Sequence, residues 1–219
     1  MSLLNTNWIV ENFKNSDFTF FEIGTAALDK DSPSYQLKEL IPNGKYYAFE
    51  AAEYWHEINE SYALEEGINY FKYAVSDVDG EVLLYPSLTQ QGEPHFWSSS
   101  IFKLNTSPGS NPFDKLYGEP YFIKSIKLET FCNQFNVTPD FIHMDVEGAE
   151  LKALQNMGKH KPKCIWAEIC AFNHYDTNTS FDELDGYLKS IGYYLVCIEE
   201  TQTNDALYCL NEFKITNYK

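Results

Sequence analysis

The stretch Phe18-Thr19-Phe20-Phe21-Glu22-Ile23-Gly24 decides the fold. Its nearly continuous run of apolar residues is typical of a strand that is buried on both faces, as the strands of parallel sheets are. Ser32 and Pro33 follow, and they supply a helix N-cap and a proline at the first helical position. We therefore predict a buried strand followed by a helix, which ends in a turn at 42–44.

The alternation of strands and helices continues outward from this stretch. We predict strands over 46–51, 68–75, 140–146 and 164–170, and helices over 53–66, 128–135, 149–157 and 180–192. The last two apolar runs, 193–198 and 206–210, are joined by a short link and are therefore expected to be antiparallel. This order predicts an α/β fold with a doubly wound, mostly parallel sheet and one antiparallel edge strand.

The segment 76–127 interrupts the alternation with clusters of Gly, Pro, Ser and Asn. Two apolar runs within it, 81–85 and 121–126, predict antiparallel partners, so we interpret the segment as an inserted hairpin and loop region over one end of the sheet. A length of 219 residues suits one domain rather than two. We therefore predict a single domain over 1–219, with 1–17 as an N-terminal extension.

The charge of the chain bears on its partners. There are 16 Lys plus Arg against 32 Asp plus Glu, which gives a formal net charge of −16, and every basic residue is Lys. Such a chain repels a phosphate backbone and lacks the guanidinium fork that reads guanine, so we expect no nucleic-acid partner. No run approaches the ~20 apolar residues that span a bilayer, so we expect no membrane partner. The five cysteines are scattered without a CxxC pair, which indicates reduced thiols and a cytoplasmic protein.

Acidic residues stand at the carboxyl ends of the predicted strands. Glu22, Glu50, Asp77 and Asp145 end or follow four strands, and Glu168 lies within the fifth. In a doubly wound sheet the ligand lies beyond these ends, next to the first strand. Glu50 ends the second strand, where a carboxylate can accept hydrogen bonds from the two hydroxyls of a ribose. The alternative for Glu50 is an exposed strand-end acid with no ligand.

The turn after the first strand indicates which adenosine ligand fits. Gly24 is the only glycine before Gly44, whereas a dinucleotide-binding turn needs G-x-G-x-x-G. Glu22, Asp29 and Asp31 surround the turn with negative charge, which suits a ligand with a positive centre and no phosphate. S-adenosylmethionine has these properties, while a nicotinamide-dependent oxidoreductase is disfavoured. The alternative for Gly24 is an ordinary turn glycine.

Asp145-Val146-Glu147-Gly148-Ala149-Glu150, preceded by Phe141-Ile142 and followed by Leu154, resembles the fourth-strand motif of FkbM-type methyltransferases. Glu22-Ile23-Gly24, Phe49-Glu50-Ala51 and Ala74-Val75-Ser76-Asp77 are similar to that family's segments at the ends of the first three strands. The resemblance extends over 18–210. It implies the Rossmann-like class I methyltransferase fold and an S-adenosylmethionine-dependent O-methyltransferase that acts on hydroxyl groups of small molecules, sugars or glycans.

The resemblance also implies roles for single residues in binding S-adenosylmethionine. It assigns Glu22, Gly24 and Thr25 to the methionine end, Glu50 to the ribose, Ser76 and Asp77 to the adenine, and Asp145 to the sulfonium and α-amino groups. The neighbouring Ala26 and Ala51 are further cofactor-binding candidates. The chain departs from the family in two places. Thr25-Ala26-Ala27-Leu28 stands where the family continues with Asn and a second Gly, and His143 stands where Lys is common.

Methyl transfer also needs a group that removes the proton of the acceptor. Strand alternation places His143, Asp145 and, if the strand continues, Glu147 on one face, and we predict Asp145 and Glu147, ahead of His143, as the general base. The same three side chains could instead bind a divalent metal. No helical H-x-x-x-H signature accompanies them, so we predict no metal. A hydrogen-bonded core histidine is the alternative for His143, and Glu150 is expected to favour the first helical turn.

The acceptor site is expected in two loops, 94–102 and 172–179, because their aromatic and polar groups suit a sugar or polyol. The candidates are Trp97, Ser100, His174 and, from the fifth strand, Glu168. Solvent-exposed loops with aromatic plugs are the alternative, as is a structural ion pair for Glu168. A second hypothesis for the whole chain is a binding module that kept the fold and lost turnover, since its first motif is altered.

Overall fold

The computed structural model describes residues 6–14, 17–89, 91–93, 97–105, 107, 116–169, 175–177, 179–200 and 204–215. The helices are α1 (Thr6–Phe13), α2 (Pro33–Leu40), α3 (Glu53–Glu66), α4 (Leu128–Phe135), α5 (Glu150–Leu154) and α6 (Phe181–Ser190). The strands are β1 (Thr19–Ile23), β2 (Lys45–Phe49), β3 (Asn69–Phe71), β4 (Ala74–Val75), β5 (Gly80–Leu84), β6 (Ser87–Leu88), β7 (Leu116–Tyr117), β8 (Tyr121–Ile126), β9 (Phe141–Met144), β10 (Cys164–Ile169), β11 (Tyr193–Glu200) and β12 (Asn204–Leu210).

Seven strands form the central sheet, in the order β11-β12-β10-β9-β1-β2-β3. Neighbouring strands are parallel from β10 to β3, and β12 is antiparallel to both β10 and β11. The chain runs from β1 outward to β3 and then returns to β9 on the other side of β1. This arrangement confirms the doubly wound, mostly parallel sheet with an antiparallel edge, and it places a topological switch point between β1 and β9.

The core lies on both faces of the sheet. Every residue of β1 is buried, which shows that both faces of this strand are covered. Phe21 and Ile23 pack on one face with residues of α4, α5 and α6, while Phe20 packs on the other with residues of α1, α2 and α3. The described part of the predicted N-terminal extension belongs to this core. Trp8 and Phe13 of α1 are at most 2% exposed and lie in the same cluster as Phe20.

The predicted strand 68–75 is wrong as a single element, because it is two strands in two sheets. β3 pairs with β2 in the central sheet, and then the chain leaves this sheet. Ala74 and Val75 of β4 pair instead with Ser125 and Ile126 of β8. β5 and β8 form the predicted antiparallel pair of the insertion, so β4, β8 and β5 make a separate three-stranded sheet.

Helix α6 begins with the predicted capping box. The Ser180 hydroxyl accepts a hydrogen bond from the Glu183 N–H at 3.3 Å, and the Glu183 carboxylate accepts one from the Ser180 N–H at 3.0 Å. These bonds satisfy backbone donors that the helix itself leaves unpaired. No helix among the described residues is both long enough and apolar enough to cross a membrane.

We expect Ser180→Ala to lower the free energy of unfolding by about 1 kcal/mol, because the N-cap acceptor is lost. Urea unfolding of both proteins measures the difference. Ser190→Ala is the matched control, since that hydroxyl donates only to the Tyr187 carbonyl of its own helix at 2.6 Å and its loss should cost less than about 0.5 kcal/mol. Equal losses in the two variants would contradict the capping role of Ser180.

Candidate functional site

A cavity opens at the carboxyl ends of β1, β2 and β9, where the sheet topology places the switch point. It encloses about 1020 Å³ of empty space, part of it open solvent. The residues that line it come from the strand ends, the turns after them and the insertion. They are Glu22, Ile23, Gly24, Thr25, Ala26, Pro33, Phe49, Glu50, Ala51, Tyr73, Ala74, Val75, Leu84, Trp97, Ser99, Ile101, His143, Asp145, Val146, Glu147, Ala149 and Asp205.

The turn after β1 is packed against the end of β9. Gly24 has a φ of +85°, and a Cβ atom added to it would lie 1.7 Å from the Asp145 carbonyl oxygen. The Gly24 and Thr25 N–H groups both donate to the Phe49 carbonyl, at 2.9 and 3.2 Å. A residue with a side chain does not fit at position 24, so the glycine is required for this close approach of the two chain segments.

Glu50 connects the first turn to the end of β2. One carboxylate oxygen accepts a hydrogen bond from the Ala26 N–H at 2.7 Å, and the other accepts one from the Ala52 N–H at 2.6 Å. Burial raises the pKa of Glu50 to about 7, although these backbone hydrogen bonds lower it. Each carboxylate oxygen has a second lone pair, so Glu50 can hold the turn and still accept hydrogen bonds from a ligand in the cavity.

Glu22, at the end of β1, has a comparable double role. Its carboxylate accepts a hydrogen bond from the Ser34 N–H at 2.8 Å, near the beginning of α2. Burial raises the pKa of Glu22 to about 7. The side chain therefore satisfies an orphan donor of the helix N-terminus while it also lines the cavity.

Asn59 shapes the same turn, and it is not identified by the sequence motifs. It is fully buried on α3, its side-chain oxygen accepts from the Leu28 N–H at 2.7 Å, and its amide donates to the Ala26 carbonyl at 2.7 Å. Ala26 has a φ of +47°, in the left-handed region. The only sequence signal is a polar residue between Trp55 and Ala63 on the buried face of the helix.

The chain leaves β9 at Met144, short of the predicted end at 146, so strand alternation does not extend to Glu147. Glu147 has a φ of +53°, and the chain turns there instead. Glu150 holds the turn from within, because its carboxylate accepts from the Val146 and Gly148 N–H groups, both at 3.2 Å. Burial raises the pKa of Glu150 to about 8. Glu150 is predicted only to favour the first helical turn, and in addition it holds the turn between β9 and α5.

His143, Asp145 and Glu147 all line the cavity despite the early end of the strand. Two neighbours fix Glu147: the Tyr175 hydroxyl donates a short hydrogen bond to its carboxylate, and the Ser100 hydroxyl donates to its carbonyl at 2.8 Å. The His143 Nδ1 atom is buried without a hydrogen-bond partner among the described residues, and burial lowers the pKa of His143 to about 4. The imidazole is therefore neutral at neutral pH.

A third carboxylate approaches Asp145 and Glu147 from β10. One carboxylate oxygen from each of Asp145, Glu147 and Glu168 lies within 4.8 Å of the others. Glu168 is only 9% exposed, and its Oε2 atom has no hydrogen-bond partner in the part of the chain that the structure describes. Burial and then the charges of Asp145, Glu147 and Glu150 raise the pKa of Glu168 well above its usual value.

Other predicted site residues lie elsewhere. Ser76 is fully buried, with its hydroxyl 2.7 Å from that of Ser125, and Asp77 forms an ion pair with Lys152 at 3.7 Å. Neither is among the residues that line the cavity, because the chain has already joined the small sheet at β4. Ser100 is 1% exposed and its hydroxyl serves the Glu147 turn, so it does not line the cavity either.

The two aromatic acceptor candidates have different outcomes. Trp97 lines the cavity, is 45% exposed and contacts the Trp55 ring edge-on at a centroid distance of 5.0 Å. His174 lies outside the described residues. Asp205, Tyr73 and Ile101 also line the cavity, although none of them is a candidate from the sequence. Asp205 comes from β12, Tyr73 from the link between β3 and β4, and Ile101 from the predicted acceptor loop 94–102.

The chain is similar to one known family and to several solved structures. A family model described as "Methyltransferase FkbM domain" matches residues 22–195. A methyltransferase FkbM from Methylobacillus flagellatus KT is 15% identical, with a TM-score of 0.53, and the match covers 88% of this chain and 44% of that one. The chain therefore spans less than half of the length of that relative.

Two further solved structures share the fold at low identity. A fibrillarin pre-rRNA processing protein from Methanococcus jannaschii has a TM-score of 0.52 at 12% identity, with 89% of this chain and 67% of that chain covered. TrmK from M. capricolum, in complex with S-adenosylhomocysteine, has a TM-score of 0.51 at 12% identity, with 100% and 73% covered. A comparison with curated proteins finds no match.

Proposed function

Since the chain belongs to the FkbM methyltransferase family, we propose that it transfers a methyl group to a hydroxyl of a small molecule, sugar or glycan. S-adenosylmethionine is the cofactor that the family and the fold assign. The main support for the proposal is that Glu22, Glu50 and Asp145, from the ends of three neighbouring strands, line one cavity. Three carboxylates in one cavity suit a donor that has a cationic centre and ribose hydroxyls.

In this proposal the turn after β1 and the strand-end acids bind different parts of S-adenosylmethionine. Gly24, Thr25 and Ala26 form the floor for the methionine end, next to the Glu22 carboxylate. Glu50, already fixed by two backbone donors, accepts hydrogen bonds from the ribose hydroxyls. Asp145 faces the sulfonium and the ammonium, whose positive charges its carboxylate stabilises.

The transfer is an in-line displacement at the methyl carbon. A bond forms from the acceptor oxygen to the methyl carbon, the bond from that carbon to sulfur breaks, and S-adenosylhomocysteine leaves as a neutral thioether. The proton of the acceptor hydroxyl passes to a carboxylate, for which Glu147 and Asp145 are the candidates. Tyr175 and Ser100 support this role for Glu147, because they hold its side chain and backbone in one orientation.

The acceptor side of the cavity supports a sugar or polyol. Trp97, 45% exposed, lines the same cavity as the polar groups of Ser99 and Asp205. The net charge of −16 and the absence of arginine favour a neutral hydroxylated molecule over a nucleic acid, although fibrillarin is named as a pre-rRNA processing protein. Product formation on a panel of sugars and polyols separates this function from that of a binding module without turnover.

We expect S-adenosylhomocysteine to bind with micromolar affinity, and Glu50→Gln to weaken it about 10-fold or more, because one acceptor oxygen is replaced by an amide NH₂ that cannot accept from the ribose or the backbone. Calorimetric titration measures both. Asp77→Asn is the matched control: it removes one charge near the third strand but lies outside the cavity, so the affinity should stay unchanged. NAD is the control ligand. Absence of S-adenosylhomocysteine binding to the folded protein, or an equal loss in both variants, would overturn the assignment of the donor site.

A further inference from the structure

The structure brings together three carboxylates that the sequence separates. The β9–β10 register pairs Trp166 with His143 and Ala167 with Met144, so Glu168 comes level with Asp145 at the strand ends. The turn at Glu147 then folds the third carboxylate back toward the other two, and all three ligand oxygens lie within 4.8 Å of one another. The sequence places Glu168 among the strand acids near the ligand, but only the register brings its carboxylate beside Asp145 and Glu147.

We propose that Asp145, Glu147 and Glu168 bind a hard divalent cation, with Mg²⁺ as the expected ion. Carboxylate oxygens are the ligands that Mg²⁺ prefers, at about 2.1 Å in octahedral geometry, so two oxygens on one ion lie about 3.0 Å apart when adjacent and about 4.2 Å apart when opposite. Three oxygens within 4.8 Å are near enough to share an ion once side-chain rotation brings the adjacent ones closer. Asp145 and Glu147 also line the cavity, which gives the ion and its remaining water ligands a path from solvent.

Glu168 is the independent indication of a ligand. Its side chain is more than nine-tenths buried and points to Asp145 and Glu147, with a hydrogen bond to Asp145 inside the cluster, yet its Oε2 atom lacks a hydrogen-bond partner among the described residues. A buried carboxylate normally has hydrogen bonds, an ion pair or a metal. By contrast, Glu150 is equally buried but accepts two backbone hydrogen bonds, so it needs no cation.

If the chain transfers methyl groups as proposed, an ion at this position could activate the acceptor hydroxyl. Asp145 would bind the ion with one carboxylate oxygen and face the sulfonium with the other, so the ion would lie where the acceptor hydroxyl approaches the methyl carbon. The ion would lower the pKa of an acceptor hydroxyl that replaced one of its waters, and the proton would pass to an oxygen of Glu147 or Asp145 that does not bind the ion. The sequence-based expectation of no metal rested on His143, Asp145 and Glu147 alone, without the ligand from β10.

The test is Mn²⁺ binding to the whole chain, followed by the loss of the paramagnetic resonance signal of the free ion, without cofactor or acceptor. We expect one saturable site that Mg²⁺ competes for. Glu168→Gln should weaken Mn²⁺ binding about 10-fold or more, and the cavity-lining Glu147→Gln should do the same if the buried variant fails to fold. Glu81→Gln, at an exposed position on β5, should leave the affinity unchanged.

Two results would overturn the cation site. One is the absence of saturable Mn²⁺ binding at neutral pH, which would mean that a proton, not an ion, neutralises the cluster. The other is binding that Glu168→Gln and Glu81→Gln reduce equally, which would mean that Mn²⁺ is attracted by the acidic surface in general. Titration of S-adenosylhomocysteine in the presence of a chelator tests the donor site separately, so failure of the cation site and failure of the proposed function are distinguishable.

Discussion

Gly24→Ala is expected to abolish S-adenosylhomocysteine binding and to lower the free energy of unfolding by about 3 kcal/mol or more. The added Cβ would lie 1.7 Å from the Asp145 carbonyl oxygen, far inside van der Waals contact, and the φ of +85° is unfavourable for alanine. The atom in its way belongs to the backbone, so no side-chain rotation relieves the overlap. The ends of β1 and β9 must separate, and the cavity lies between them.

Gly67→Ala is the control that measures the cost of a positive φ for alanine without a steric overlap. Gly67 ends α3 with a φ of +65°, and a Cβ there meets nothing within 4 Å. Its substitution should therefore cost only the left-handed conformation, about 1 kcal/mol, and should leave S-adenosylhomocysteine binding intact. Urea unfolding and calorimetry of the two variants measure both effects. Equal destabilisation of the two variants would mean that the approach of Gly24 to Asp145 is not as close as described.

Much of the fold follows from local patterns in the sequence. The apolar run of β1, the glycine after α3 and the capping box of α6 each depend on a few neighbouring residues, and the structure has all three. The strand-end acids Glu22 and Glu50 line the cavity for a similar reason, because parallel strands end at one edge. Local propensity and sheet topology agree at these positions, so the sequence is sufficient to predict them.

The rest of the site depends on contacts between distant segments. Asn59 reaches a loop more than 30 positions earlier in the chain, and Tyr175 reaches Glu147 across 28 positions. Ser76 lies off the cavity because β4 pairs with β8, a partner 51 positions away, rather than continuing β3. None of these pairings leaves a periodic signal, since each joins segments that are far apart in the sequence.

The free energy of unfolding is expected to fall by several kcal/mol as the pH rises from about 5.5 to about 8.5. Burial raises the pKa of Glu22 and Glu50 to about 7 and that of Glu150 to about 8. In the unfolded chain these groups lose their protons near pH 4.5, so the folded state binds more protons in between. Their contribution to stability is fully present below the unfolded pKa and is lost as the pH rises through the folded values, by about 1.4 kcal/mol for each pKa unit.

Glu150→Gln isolates one of these groups. Both backbone donors bond to the Oε1 atom of Glu150, so an amide oxygen can keep the same hydrogen bonds while the side chain stays neutral at every pH. The variant should match the native protein at the acidic end of the range and exceed its stability at the alkaline end, which flattens the curve. Glu81→Gln, at an exposed position on β5, is the control for removing one negative charge from a chain whose net charge is −16. Urea unfolding across the pH range measures the slopes. If Glu150→Gln and Glu81→Gln have the same slope, or if stability rises with pH, the carboxyl of Glu150 is not held protonated by burial.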